Sequence, residues 1–80
     1  MTINEATKLA LERKGQMFLF GSPFPVCYEP TNTEECIIIH GPEETDRGVR
    51  WNPTADDLMS EKWAVIFEEE NGDLTMQLML

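Results

Sequence analysis

Basic residues are scarce in this chain. Six lysines and arginines stand against fifteen aspartates and glutamates, so the net charge is −9 at pH 7. Such a balance repels nucleic-acid phosphates unless the bases are clustered, and disfavours ordinary duplex binding. Cysteine and histidine are rarer still, with two and one respectively. Cys27 and Cys36 lack the paired spacing of metal ligands, and a structural zinc site wants four donors, so no metal site is expected. One cysteine pair with no secretory leader reads as two reduced thiols of a cytosolic protein, although the spacing would also permit a single bridge across a hairpin. Long apolar runs are missing too. Met1 to Arg13 is polar and charged, and nothing approaches the roughly 20 apolar residues of a membrane span. A glycine-rich phosphate loop, a serine elbow and a cysteine-histidine motif are likewise absent, so catalysis has no visible machinery and no cofactor is expected.

What is present fits one domain over residues 1–80. A chain of this length buries only roughly 60 to 65% of its unfolded surface, so its core is small and self-association would help it. Thr2-Ile3-Asn4-Glu5 fits a capping box, and Ile3, Ala6, Leu9 and Ala10 recur at helical spacing. This predicts a helix over 3–14, with Gly15 as its left-handed terminator. Gln16 to Phe20, with Met17, Phe18, Leu19 and Phe20 in succession, predicts a strand buried on both faces. Phe24 to Tyr28 is strand-like, but Pro25 demotes it to an edge or a loop. Glu29 to Glu35 is turn chemistry, Cys36 to His40 a central β-branched strand, and Glu43 to Gly48 a polar loop.

Toward the carboxyl end, residues 63–69 and 74–79 predict two strands, with Asn71-Gly72 between them as a hairpin turn. Trp63, Val65 and Phe67 share one face of the first strand, and Leu74, Met76, Leu78 and Leu80 are expected to match that face across the pair. The fold class is therefore α+β: an amino-terminal helix packed on a small antiparallel sheet, and a short helical turn before a carboxyl-terminal hairpin.

That turn lies in the most informative segment, Trp51 to Trp63. Pro53 keeps its predecessor out of helix, Thr54 is an N-cap, and Asp57 three residues on completes an acidic capping box. Asp56 and Asp57 also sit where the helix dipole favours negative charge, while Leu58 and Met59 are expected to bury the turn. Glu43-Glu44, Asp56-Asp57 and Glu68-Glu69-Glu70 are read as solvated faces rather than paired catalytic acids. His40, the lone histidine, is read as a surface or hydrogen-bonded residue rather than a catalyst.

Over these thirteen positions the chain resembles the second type of phage anti-defence sponges, which antagonise Thoeris defence by sequestering its signal. The residues that carry the likeness are Trp51, Pro53, Thr54, Asp57, Leu58, Met59, Ser60, Glu61 and Trp63. Lys62 stands where the family usually has aspartate. Upstream, Lys14-Gly15-Gln16 leads straight into Met17-Phe18-Leu19, where the family usually carries a tryptophan-asparagine-glycine element.

The resemblance implies a homo-oligomer, dimer or tetramer, that holds a cyclic ADP-ribose-type signal or a cyclic dinucleotide in pockets between subunits, uncleaved, in the host cell cytoplasm. Trp51 could stack an adenine while Arg50 or Arg47 meets a phosphate, or Trp51 could simply pack on the turn it precedes. Trp63 reads as core. Thr54 and Asp57 are caps that could also touch a ribose hydroxyl, and Phe18 completes the expected ligand-binding set. The alternative reading is an acidic interaction protein, either a DNA mimic or an inhibitor of a basic host protein.

Overall fold

In the computed structural model, which describes residues 1–23, 26–68 and 76–80, the first helix is set by its cap. Thr2 Oγ1 accepts from the Glu5 amide (3.2 Å), and Glu5 Oε1 accepts from the Thr2 amide (2.9 Å). The Thr2 amide and hydroxyl bonds hold the Glu5 carboxyl below its ordinary pKa. This reciprocal pairing satisfies two otherwise orphaned donors and starts helix α1, Ile3–Arg13. Its inward face consists of Ala6 and Ala10, both buried, with Ile3 and Leu9 partly so. Two alanines on that face let the helix backbone lie close to the sheet.

Among the described residues the sheet has six antiparallel strands: β1 (Gln16–Leu19), β2 (Cys27–Pro30), β3 (Ile37–His40), β4 (Arg47–Gly48), β5 (Trp63–Glu68) and β6 (Met76–Met79). Their order is β4-β3-β2-β1-β5-β6. The first four form a meander, and helix α2, Ala55–Met59, lies on the connection that carries the chain back to the other side of β1. Met17 opposes both Tyr28 and Val65, which puts these three on the face that meets α1. There they join Trp63, Ala6 and Ala10 in the core. Phe18, Cys27, Glu29, Ile38, His40, Ala64 and Ile66 take the opposite face.

Several local expectations change. Gly15 does not carry the left-handed turn; Lys14 does, with φ 56° as the C-cap residue. Gly15 is small for a different reason: a Cβ there would sit 2.6 Å from Ile66 O and 2.9 Å from Phe67 Cβ, so the helix exit runs against β5. Burial of β1 on both faces fails beyond Met17, since Phe18 and Leu19 are half-buried and Phe20 is 53% exposed. Strand β2 is interior rather than an edge or loop, and extends into the stretch expected to be a turn. Pro30 is tolerated as its last residue, where the missing donor falls beyond the Met17–Tyr28 pairing with β1. Residues 24 and 25 lie outside the described set.

The expected Glu43–Gly48 loop contains β4, paired through Ile39–Gly48 and His40–Arg47. Leu58 and Met59 do not bury α2; they are 53% and 70% exposed, because what anchors this helix is its backbone. β6 opposes β5 as expected, while Asn71-Gly72 and Leu74 lie outside the described residues. Its register departs by one position. A two-residue Asn71-Gly72 turn would set Val65 opposite Leu78, whereas Val65 opposes Met79, Ile66 opposes Leu78, and Glu68 opposes Met76. A one-residue shift moves a strand's alternate side chains to the other face, so Leu78 lies opposite to the Trp63 face.

The helix exit yields a paired prediction. Gly15→Ala should lower stability by about 2 kcal/mol or more, because a backbone carbonyl cannot yield to the new methyl. Lys14→Gly should raise it by up to about 1 kcal/mol by relieving the left-handed backbone. Urea unfolding of both variants checks the opposite signs; a large loss from Lys14→Gly with a neutral Gly15→Ala would return the terminator role to Gly15.

Candidate functional site

Trp51 enters the structure through a sharp turn. Arg50 adopts φ 56°, which redirects the chain after β4 so that the Trp51 amide donates to Ile37 O (3.0 Å). The indole then lies against Tyr28, ring centroids 4.2 Å apart and planes tilted by 36°. Trp63 meets both rings edge-on, at 5.8 Å from Trp51 and 5.6 Å from Tyr28. Trp51 is only half-buried while Trp63 is fully buried, so the first forms the rim of the cluster and the second its floor. Burial, followed by the Asp57 carboxylate and Cys27, pushes the Tyr28 phenol upward and keeps it protonated.

Thr54 and Asp57 build the wall beside this cluster and are already engaged. Thr54 Oγ1 accepts from the Asp57 amide (3.2 Å), and Asp57 Oδ2 accepts from the Thr54 amide (2.9 Å). The backbone carbonyl of Asp57 accepts the Trp63 indole N–H at 2.8 Å. Their arrangement therefore links α2 to the aromatic floor.

The two arginines are also engaged, with one loop. Arg47 Nη2 donates to Glu35 Oε2 (2.7 Å), Arg50 Nε to Glu34 O (3.1 Å), and the Arg50 amide to Glu35 O (2.9 Å). These contacts clamp the β2–β3 hairpin loop, itself closed by the Thr31 amide on Cys36 O (2.9 Å). Of the expected ligand-binding set, Trp51, Thr54 and Asp57 are gathered around the aromatic cluster, with Arg50 next to Trp51 in the chain. Arg47 stands on β4 opposite His40, and Phe18 lies on the sheet face away from α1. Phe18 is thus separated from Trp51 by the sheet itself.

A second polar group escaped the sequence reading. His40 Nε2 and Glu29 Oε1 are 2.7 Å apart, and Cys27 stands opposite His40 on the neighbouring strand. Cysteine, histidine and glutamate together could suggest thiolate chemistry. Burial pushes the Cys27 thiol up, however, which disfavours the nucleophilic form. The sequence signal that could have found this group is the period-two spacing of Cys27 and Glu29, legible only once β2 is taken as a strand. Both thiols are free, and among the described residues no group of histidine, cysteine and carboxylate side chains could hold a metal ion. None of the described helices is long and apolar enough to cross a membrane.

Open concavities of about 300 and 390 Å³ flank α1, the first lined by Lys14, Gly15, Glu29 and Pro30, the second by Ile3, Asn4, Thr7 and Lys8. Neither includes Trp51.

The thiols differ in environment, so they should differ in reactivity. Exposed Cys36 should react with a disulfide reagent at pH 8 at least about tenfold faster than Cys27. Because the folded Cys27 pKa is raised, its contribution to stability is present below the unfolded thiol value of about 8.5 and is lost as pH rises from there through the folded value. Urea midpoints at pH 7 and 9.5 for the native chain and Cys27→Ser check this, the variant losing less.

No protein-family model, curated protein or solved structure matches this chain. The likeness of Trp51–Trp63 to the sponges therefore rests on those residues alone.

Proposed function

We propose that this domain is a non-catalytic binding protein that captures a nucleotide-type signal, a cyclic ADP-ribose isomer or a cyclic dinucleotide, at Trp51 in the host cell cytoplasm. The observation that supports this reading is the posture of Trp51. Tyr28 backs its ring at 4.2 Å, so the indole plane is set before any ligand arrives, and exposed Arg50 precedes it in the chain. Stacking of a base on a fixed aromatic ring contributes roughly 1 to 3 kcal/mol. The Glu34 carbonyl on Nε orients the guanidinium, whose charge can meet a phosphate. Arg47 contributes less to this capture, because Glu35 already neutralises it. Association of two protomers beside Trp51 would enclose the ligand and add a second arginine, in keeping with the oligomer implied by the resemblance. Holding the ligand uncleaved makes the protein a sink for the signal.

The charge balance supports a second reading. Fifteen acids against six bases leave an acidic surface suited to a basic host protein, either as a DNA mimic or as an inhibitor.

Calorimetry with cyclic ADP-ribose isomers and cyclic dinucleotides tests the first reading. Binding is expected to weaken at least about tenfold in Arg50→Gln, and the ligand should be recovered intact after the protein is denatured. Absence of binding to every compound would overturn it, and recovery of cleaved ligand would make the protein an enzyme. For the second reading, a basic partner should be captured at low ionic strength and released as salt rises, whereas an enclosed nucleotide should respond less.

A further inference from the structure

Two arginines end on one loop, and they are held in different ways. Arg47 Nη2 donates to the Glu35 carboxylate at 2.7 Å, whereas Arg50 Nε donates to the neutral Glu34 carbonyl at 3.1 Å. The two guanidiniums are anchored on consecutive residues of the β2–β3 loop, yet only Arg47 meets a carboxylate. Exposed ion pairs contribute little to stability, and both side chains of this pair are nearly half exposed. The loop is closed without it, by the Thr31 amide and hydroxyl on Cys36 O, the Cys36 amide on Thr33 O and the Arg50 amide on Glu35 O. What the pair changes is the charge offered to a ligand.

The Glu35 carboxylate is tethered, so it competes for Arg47 at an effective concentration on the order of millimolar. A free phosphate has to displace it, and has to approach a chain of net charge −9 to do so. Arg50 has no such competitor and directly precedes Trp51. A further carboxylate acts on the aromatic cluster itself: after burial, the charge of Asp57 is what pushes the Tyr28 phenol behind Trp51 upward. One uncommitted cation with two carboxylates nearby suits an internal phosphate, which is substituted on both sides and carries one negative charge. A terminal phosphate carries nearly two. Its extra charge meets Glu35 or Asp57 rather than a free guanidinium.

We propose that Glu35 is a specificity-determining residue: by occupying Arg47 it restricts the Trp51 site to nucleotides whose phosphates are all internal and singly charged, and excludes linear nucleotides that end in a phosphate. This rests on the ligand reading of Trp51 and names the class of nucleotide that the site takes. Cyclic compounds meet the condition because ring closure removes every phosphate end. A sink for a signal also has to leave linear nucleotides unbound, and the Glu35–Arg47 pair supplies that selectivity from within the chain.

Calorimetry with ATP and inorganic pyrophosphate on the native chain, Glu35→Gln, Glu44→Gln and the double variant Glu35→Gln/Arg47→Gln tests it. Glu35→Gln should bind both probes at least about tenfold more tightly than the native chain. Glu44→Gln, which changes net charge equally on the exposed loop at the other end of β3, should show no such gain. Adding Arg47→Gln should abolish the gain, with native circular dichroism confirming the fold of each variant. On the native chain, the Arg47 side-chain NMR signals should stay in place as pyrophosphate is added. A folded Glu35→Gln no tighter than the native chain, an equal gain in Glu44→Gln, a gain that survives Arg47→Gln, or movement of the native Arg47 signals would each overturn the proposal. Pyrophosphate has no base to stack, so its arm does not need Trp51. Cyclic compounds that fail to bind alongside a Glu35→Gln gain would sink the ligand reading alone, and cyclic compounds that bind without that gain would sink this one alone.

Discussion

Complete burial of Trp63 is the constraint around which the molecule is arranged. An indole taken out of water needs a partner for its N–H, and the Asp57 carbonyl provides it at 2.8 Å, which ties α2 to the first residue of β5. The Trp63 amide donates to Met1 O at 3.0 Å, and the Met1 amino group donates to Trp63 O at 2.9 Å, which ties the start of α1 to the same point. Tyr28 and Trp51 then close over the ring from β2 and from the segment after β4. One residue thus joins parts of the chain that are otherwise remote in sequence. It also explains why a five-residue helix with exposed Leu58 and Met59 can persist: its hold on the fold is a cap and a carbonyl rather than an apolar face.

The scarce basic residues are spent in the same economical way. Arg47 holds the β2–β3 loop through the Glu35 carboxylate, and Arg50 holds it through its Nε on Glu34 O and its backbone amide on Glu35 O. Structural service does not exclude ligand contact, since Arg50 remains exposed beside a half-buried indole. It does rank the two: Arg47 is paired with a carboxylate, whereas the recorded side-chain bond of Arg50 goes to a neutral carbonyl. That difference, rather than the number of arginines near Trp51, is what directs the functional reading to Arg50.

Local capping was legible from the chain because its partners are three residues apart. Thr2 with Glu5 and Thr54 with Asp57 form the boxes that their spacing predicts, and Trp63 opens β5 as anticipated. The interior position of β2 was hidden by Pro25 and Pro30, since a proline rule weighs a lost donor without knowing whether a neighbour would have used it. The Glu29–His40 pair was hidden for the same reason. It exists only because β2 and β3 lie side by side in a register that sets Cys27 opposite His40.

Sequence alone determined the composition-driven features: an α+β chain with a capped amino-terminal helix, an acidic balance, and a capped turn leading into a tryptophan-led strand. These depend on interactions spanning a few residues, or on none. Tertiary structure decided that Lys14 rather than Gly15 turns left-handed, that Phe18 and Trp51 face opposite sides of the sheet, and that Leu78 lies away from the Trp63 face. Each of those outcomes depends on which backbone lies next to which, and a single residue of register reverses the face a side chain occupies.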